Sequence, residues 1–280
     1  MGTGVGNNIL KYINIFQVDA FTPIAFKGNP AAVCPLPQFL PDETLQAIAG
    51  ENNLSETAYI VELDGSSADY HLRWFTPTVE VKMCGHATLA AAFVVFNHLR
   101  PDSDTVRFDT LSGILTVRRM REKLLMDFPV LTVAKIETPV GLVEAMGHKP
   151  TAVYKGEEGD RDLLLVYDSP ATIQKLTPDS AALRKFAPYG FIATARGAGD
   201  IDFVSRCFFP NHGIEEDAVT GSAHCVMGPY WSEKLGKKAL FARQLSKRGG
   251  DLWLNIPGDG RMEIAGQAVE VMKGEIIIPT

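Results

Sequence analysis

The sequence predicts an α+β protein built from two similar halves, in which strands wrap a few helices. Strand-like runs rich in β-branched and aromatic residues outnumber helical runs along the 280 residues. Two apolar helical segments each follow a glycine, Gly85 in the first half and Gly221 in the second. Short motifs also recur in the same order in both halves. These observations favour this class over the regular βαβ alternation of a doubly wound sheet.

Internal similarity is the strongest of these observations. The motif RWFTP at 73–77 recurs as RCFFP at 206–210, an offset of 133 residues. Two further pairs lie at offsets of 136 and 137 residues: GHA at 85–87 with GSA at 221–223, and PD at 41–42 with PD at 178–179. Because the order is kept and the offset is nearly constant, the motifs predict an ancient duplication.

The individual elements follow from local patterns. Runs with strand composition lie at 13–20, 71–76, 106–109, 114–117, 124–128, 163–167, 203–208 and 262–265. Helical patterns lie at 42–51, 86–98, 178–186 and 223–235. We therefore predict an N-terminal domain at 11–130 and a C-terminal domain at 131–267. The strand-like segment 268–280 is expected to return to the first domain.

Composition excludes several classes of protein. The net charge of −6 gives no general attraction for nucleic acid. The longest apolar run, 87–96, is too short to span a membrane, and the N-terminus does not resemble a signal peptide. The four cysteines have neither metal-ligand nor disulfide-framework spacing, which predicts reduced cysteines, no metal and a cytoplasmic protein.

The two glycine-to-helix junctions suggest a site for an anion. Free amides at a helix N-terminus bind negative groups, and glycine lets a ligand approach the backbone. For one such loop alone, a simple tight turn is the better interpretation. Because Gly85 and Gly221 are repeat-related, we expect the two helix ends to meet and hold one small carboxylate.

Several side chains near these junctions could move protons. Glu56 leaves a polar turn and enters an apolar strand, where burial would raise its pKa toward neutrality. His86 directly follows Gly85, and Asp217 lies in the loop before the second helix. A solvated Glu, a helix-capping Asp and a packed His are the ordinary interpretations of such residues. Cys84 could serve a two-base racemase, but its repeat partner is Thr220 rather than a second cysteine.

The same residues resemble, in order and spacing, the phenazine-biosynthesis-like (PhzF-like) family. Five ordered motifs carry the resemblance: QVDAF at 17–21 with GNPAAV at 28–33, NLSETA at 53–58, RWFTP at 73–77, CGHATLA at 84–90, and EDAVTGSAH at 216–224. RGG at 248–250 is a further block, similar to a subgroup that includes the vertebrate members. The resemblance is weakest between 134 and 185.

The resemblance implies a diaminopimelate-epimerase-like fold with the active site between two domains, a homodimer and no cofactor. It implies that Glu56 is a single acid/base catalyst, assisted by His86, Asp217 and Ser222. Amides around Gly85 and Gly221 would hold the substrate carboxylate, and Asn29, Ser55 and Ala87 are further candidates for substrate contact. Ala218 replaces the proline that usually follows the family aspartate.

Three functions therefore remain open at this level. The first is a cofactor-independent isomerase that moves a proton between carbons of a small carboxylate substrate. The second is a binding protein that keeps the cleft without catalysis, since a fold does not fix a function. The third is an amino-acid epimerase or racemase, which assays of racemisation and of sensitivity to cysteine alkylation would reveal.

Overall fold

The computed structural model describes residues 10–65, 67–156 and 162–279. The first half contains strands β1 to β8 and two helices: β1 Leu10–Ala20, β2 Asn29–Leu36, α1 Asp42–Asn52, β3 Glu56–Glu62, β4 Tyr70–Phe75, β5 Glu80–Val81, α2 Gly85–Val94, β6 Thr105–Thr110, β7 Gly113–Met120 and β8 Lys123–Pro129. A π-helical turn, Val95–Leu99, extends α2.

The second half repeats this arrangement and ends with one additional strand. Its elements are β9 Val133–Ile136, α3 Leu142–Met146, β10 Ala152–Gly156, β11 Asp162–Val166, α4 Pro170–Lys175, α5 Ser180–Leu183, β12 Gly190–Arg196, β13 Phe203–Phe209, β14 Ile214–Asp217, α6 Ala223–Leu235, β15 Ala239–Gln244, β16 Gly250–Asn255, β17 Arg261–Gly266 and β18 Ala268–Pro279. Short 3₁₀ turns follow α5 and β13.

Strand pairing makes the two halves equivalent. In the first half β2 and β3 are parallel, as are β4 and β6, and the other pairs are antiparallel. In the second half β11 and β12, and β13 and β15, take the same parallel roles. The related strands β8 and β17 pair antiparallel and join the halves into one continuous sheet. Each half therefore contains two helical crossovers between parallel strands, within a mixed sheet.

The long helices α2 and α6 lie at the centres of the two halves. In α2, alanine is the commonest residue and eight of the ten residues are buried, so that strands pack closely on all sides. In α6, the buried residues run from Ala223 to Gly228 and include Trp231. Side chains of both helices belong to one hydrophobic core. The core thus fixes the two helix starts relative to one another.

The repeated arginines have a structural role. Arg73 on β4 donates through Nε and Nη2 to both carboxylate oxygens of Glu80 on β5, at 2.7 and 2.8 Å. Arg206 on β13 makes the same paired contact with Glu216 on β14, at 2.7 and 2.9 Å. These pairs tie β5 and β14 to the sheet just before each central helix.

Some elements differ from the sequence prediction. The predicted helix at 178–186 is only the short α5, capped by Asp179, followed by a 3₁₀ turn. The helix α4 begins at Pro170 and was not predicted, because six residues give too little helical periodicity.

The last strand, β18, pairs with β1 of the first half along its length. Within the described ranges, no helix is long and apolar enough to cross a membrane.

Candidate active site

The N-terminal ends of α2 and α6 meet at a small cavity between the two halves. A Cβ atom placed on Gly85 would lie 3.9 Å from the Cα of Gly221, and the reverse distance is also 3.9 Å. The cavity has a volume of about 170 Å³. It is lined by Ser55, Glu56, Met83, Cys84, Gly85, His86, Phe128, Ile214, Asp217, Thr220, Gly221 and Ser222.

Repeat-related hydrogen bonds hold both helix starts. The hydroxyl of Thr88 donates to the carbonyl of Cys84 at 2.6 Å, and Nδ1 of His224 lies 2.8 Å from the carbonyl of Thr220. Burial lowers the pKa of His224 to about 4, so this imidazole is neutral at pH 7 and donates through Nδ1. At the start of α6 the amides of His224 and Cys225 donate to the carbonyls of Gly221 and Ser222, so the earlier amides at the Gly85 and Gly221 junctions are the candidates for binding an anion. The two ends therefore direct partial positive charge into one cavity.

Glu56 and His86 form a buried ion pair in the cavity wall. Oε2 of Glu56, the first residue of β3, lies 2.9 Å from Nε2 of His86 in the first turn of α2. The two residues are only 9% and 6% exposed. Their contact is a close ion pair rather than an aligned hydrogen bond, which leaves both atoms without a hydrogen-bond partner among the described residues.

The charge state of this pair corrects the sequence expectation for Glu56. Burial raises the pKa of Glu56, but the positive charge of His86, together with the close polar contacts of His86 and Cys84, lowers it by more, so the pKa lies below its ordinary value. Burial likewise lowers the pKa of His86, whereas Cys84 and Glu56 raise it well above its ordinary value. The resting pair is therefore a carboxylate and an imidazolium, and Glu56 is poised as a base.

The hydrogen bonds made by Asn29 are consistent with a His86 ring that is protonated on Nδ1. The amide nitrogen of Asn29 donates its two hydrogens to Oδ1 of Asp217 at 2.8 Å and to the carbonyl of Val219 at 2.9 Å. Nδ1 of His86, 3.2 Å from the same nitrogen, therefore receives no hydrogen from Asn29. Instead it donates to Sγ of Cys84 at 3.5 Å.

Asp217, which belongs to the second half, is a further polar residue in the wall of the cavity. Its Oδ2 accepts a hydrogen bond from the hydroxyl of Thr220 at 2.6 Å. Burial raises the pKa of Asp217, against the opposing effect of the nearby His86. Gln244 holds this loop through its side chain, donating to the carbonyl of Asp217 at 2.8 Å and accepting from the amide of Thr220 at 2.9 Å. Sequence analysis missed Gln244, because a single glutamine at a strand end belongs to no recognisable pattern.

Cys84 has the properties of a structural thiol. Burial and the charge of Glu56 raise the pKa of Cys84 to about 11, so it is a thiol at neutral pH. Its repeat partner Thr220 also faces the cavity. The cavity thus lacks the pair of thiols that a two-thiol racemase requires.

One group of residues could in principle hold a metal ion. Donor atoms of Glu56, Cys84 and His86 lie within 4.8 Å of one another. Zinc would require a thiolate and a neutral imidazole at these positions. The pKa values of Cys84 and His86 are both raised, so metal binding would have to displace a proton from each side chain.

An ion pair between a partly exposed arginine and a buried carboxylate joins the halves behind the cavity. Arg248, in the loop between β15 and β16, donates to Oδ1 of Asp19 at 2.7 Å and to the carbonyl of Gly28 at 2.7 Å. The Asp19 side chain is 1% exposed. Gly28 has a φ of +64° and precedes Asn29, so this contact supports the residue that binds Asp217. The motif at 248–250 was noted only as part of the family resemblance, and this contact was not predicted from it.

The structure brings most of the sequence-predicted site residues together. Seven of them line the cavity: Ser55, Glu56, Gly85, His86, Asp217, Gly221 and Ser222. Asn29 lies behind the wall and also accepts a hydrogen bond from Ser55 at 3.1 Å. Ala87 is fully buried. Direct substrate contact by Asn29 or Ala87 stays a prediction.

The two-lobed α+β architecture, with a polar cavity between the lobes, is an epimerase-like fold. The family model described as "Phenazine biosynthesis-like protein" matches residues 18–274, and the chain belongs to that family. The subgroup with vertebrate members, which the RGG motif at 248–250 resembles, is also represented among the relatives. The human phenazine biosynthesis-like domain-containing protein is 39% identical over 291 residues, which cover 94% of this chain and 98% of that protein.

Other relatives carry names that concern activity. A Pseudomonas aeruginosa protein named an uncharacterized isomerase is 50% identical over 264 residues, covering 94% of this chain and 98% of that protein. A crystal structure of a PhzF-family protein from Enterococcus faecalis is 43% identical with a TM-score of 0.90, covering 96% and 100% of the two chains. A hydroxyproline epimerase from Agrobacterium vitis shares the fold alone, at 10% identity, a TM-score of 0.59, and 96% and 93% coverage. The names of the closely similar relatives support an isomerase-type role.

Proposed function

We propose that this protein is a cofactor-independent isomerase that moves a proton between two carbons of a small carboxylate substrate. The observation that carries the proposal is the buried Glu56–His86 ion pair beside two converging helix N-termini. The amides of the helix ends bind the substrate carboxylate, which places the carbon skeleton against Glu56. The volume of about 170 Å³ is below the range for drug-sized ligands and suits a small molecule.

The reaction proceeds in two proton transfers with Glu56 as the carrier. The Glu56 carboxylate removes a proton from one carbon, and the electron pair of that C–H bond enters the conjugated system of the substrate. Glu56 is then a neutral acid and returns a proton to a second carbon, which regenerates the carboxylate. His86 keeps its proton throughout and stabilises the negative charge that develops on the substrate between the two steps.

The remaining residues of the wall position the substrate. Asp217 is held by Asn29 and Thr220, and it can accept a hydrogen bond from a substrate amino or hydroxyl group. Ser222 stands at the start of α6, where its hydroxyl can donate to the bound carboxylate. The apolar side of the cavity, formed by Met83, Phe128 and Ile214, contacts the carbon skeleton and keeps water away from the carbanion. The four buried, unbridged cysteines fit a reducing cytoplasm.

The three candidate functions predict different positions for a hydrogen that the substrate takes up from the solvent. A panel of small unsaturated amino and hydroxy carboxylates, including a dihydro-hydroxyanthranilate, would be incubated with the enzyme in deuterated water and followed by NMR. The isomerase proposal predicts deuterium at a new carbon together with a shifted double bond. Deuterium only at an existing stereocentre, with loss of optical purity, would instead establish an epimerase. Carboxylate binding without exchange in any compound would favour a non-catalytic binding protein.

A further inference from the structure

One buried glutamine holds both ends of the loop that carries Asp217. Gln244 is the last residue of β15 and is fully buried. Its side-chain amide donates to the carbonyl of Asp217 at 2.8 Å and accepts from the backbone amide of Thr220 at 2.9 Å. The hydroxyl of Thr220 in turn donates to Oδ2 of Asp217 at 2.6 Å. Gln244 therefore fixes the backbone of Asp217 and also the residue that binds one of its carboxylate oxygens.

The other carboxylate oxygen is supported from the same part of the chain. Oδ1 of Asp217 accepts a hydrogen bond from Asn29 at 2.8 Å. Arg248 donates to the carbonyl of Gly28, which directly precedes Asn29, at 2.7 Å. The segment 244–248 thus reaches both oxygens of the carboxylate, each through one intervening residue.

A serine contact in this region is common to both halves. The hydroxyl of Ser246 donates to the carbonyl of Ala218 at 2.6 Å. In the first half, the hydroxyl of Ser112 donates to the carbonyl of Lys82 at 2.8 Å. Ala218 and Lys82 each lie three residues before the glycine of a helix junction. The serine contact therefore belongs to the duplicated fold and supports both helix starts alike.

The glutamine contact differs between the halves. Thr110 ends β6 as Gln244 ends the equivalent strand β15. The hydroxyl of Thr110 donates to the carbonyl of Gly113 at 2.7 Å, within its own hairpin turn. Val81 ends β5 as Asp217 ends the equivalent strand β14. The strand end that reaches across to the neighbouring loop is thus the one whose loop carries a carboxylate.

We propose that Gln244 is a positioning residue, which holds the Asp217 carboxylate in the cavity wall so that it binds a hydrogen-bond donor group of the substrate. Gln244 has this role only if the proposed function holds, because Asp217 must meet an amino or hydroxyl group of a substrate. Each oxygen of Asp217 accepts one hydrogen bond from the wall, which leaves a lone pair on each for the substrate. Their direction depends on the backbone at Asp217 and on Thr220, and Gln244 binds both.

The variant Gln244→Met tests this role, since methionine has a similar unbranched shape but makes neither hydrogen bond. We expect kcat/KM to fall at least about 10-fold for a converted compound of the panel that carries an amino or hydroxyl group, as for loss of a hydrogen bond to a charged group. The loss should appear chiefly as a higher KM, because this contact is made in the bound substrate as well as during the reaction. Thr110→Val, at the equivalent position of the first half, is the matched control and should keep the wild-type value.

A double-mutant cycle separates positioning from a general structural effect. If Gln244 acts through Asp217, adding Gln244→Met to Asp217→Asn should lower kcat/KM by at most about a further 2-fold. An effect on some other part of the site would give the same loss in both backgrounds. Circular dichroism and urea unfolding establish that each variant is folded. Should Q244M not fold, Gln244→Glu runs the same cycle, because it keeps the shape of the side chain and the acceptor for the Thr220 amide but loses the amide donor.

The results distinguish this role of Gln244 from the proposed function itself. A wild-type protein that converts no compound of the panel overturns both. If the wild type is active but the Gln244 variant keeps its kcat/KM, or if the loss is equally large in the D217N background, the isomerase proposal stands and Gln244 is not a positioning residue. A loss that is present with Asp217 and nearly absent in the D217N background supports the proposed role.

Discussion

At the residue scale, the chemistry depends on the pairing of Glu56 with His86. The sequence located both residues, and the structure places their side chains 2.9 Å apart. The direction of the Glu56 pKa shift could not be predicted, because a sequence shows that a strand start is apolar but not which charge faces it. Burial alone raises the pKa of a carboxyl group, whereas a buried cation at contact distance lowers it. Here the cation has the larger effect.

This balance gives a pH prediction. Glu56 must be ionised to accept a proton, so activity falls as the pH drops through its pKa. In the variant His86→Asn the cation is lost while burial remains, and the pKa of Glu56 should rise. The acidic limb of kcat/KM against pH should therefore move to higher pH, and kcat should fall as well, since the developing charge loses its cation. His71→Asn, which replaces an exposed histidine, is the matched control. An unchanged acidic limb in H86N would contradict the assigned charge pair.

At the element scale, the strongest predictions came from the repeat. The bounds of α6 match the predicted 223–235, because Gly221 and Gly236 flank the helical segment, which continues through Pro229. The starts of α2 and α6 were also recognised as equivalent, and they meet in the structure. Short helices such as α3 and α4 could not be predicted, because tertiary packing rather than local pattern fixes them. The equivalent capping roles of Thr88 and His224 became visible only with coordinates.

The converging helix ends predict a binding defect without a folding defect. In Gly221→Ala the new methyl group would lie 3.5 Å from Phe21 and 3.9 Å from the Cα of Gly85, which are ordinary contacts. The fold should therefore be kept, while the methyl group stands between the two sets of amides. We expect the dissociation constant of a carboxylate ligand to rise at least about 10-fold, as for loss of a charge-assisted hydrogen bond. Calorimetric titration measures this, with Gly50→Ala on α1 as control. Unchanged binding in G221A would place the carboxylate elsewhere.

At the scale of the whole molecule, two halves must keep a fixed geometry for the cavity to exist. The sheet joins them through β8 and β17, and Arg248 joins them through Asp19. The duplication predicted two equivalent halves. It could not predict this contact, because the loop 245–249 between β15 and β16 is longer than its equivalent, 111–112, between β6 and β7. The second half thus gained a connection that the first half lacks.

Removal of Arg248 should cost far more stability than removal of an exposed interlobe arginine. Arg248→Ala would leave the Asp19 carboxylate buried without its cation, and breaking such a pair costs roughly 3 to 5 kcal/mol. Arg261→Ala removes a comparable contact with Asp127, but both of these side chains are about half exposed. The loss of stability should therefore be at most about 1 kcal/mol. Urea unfolding of both variants measures the difference. Equal losses would show that Arg248 does not hold the halves together.

The proposed reaction depends on Glu56 as the carrier of the proton. Glu56→Gln keeps the size of the side chain and its hydrogen-bonding capacity, but the amide cannot accept and return a proton at neutral pH. Steady-state kinetics on a substrate that the wild type converts should show kcat reduced at least about 100-fold, with carboxylate binding nearly unchanged. Glu62→Gln, at the far end of the same strand, should retain wild-type turnover. If Glu56→Gln turned over that substrate at the wild-type rate, Glu56 would not be the base, and the proposed mechanism would be wrong.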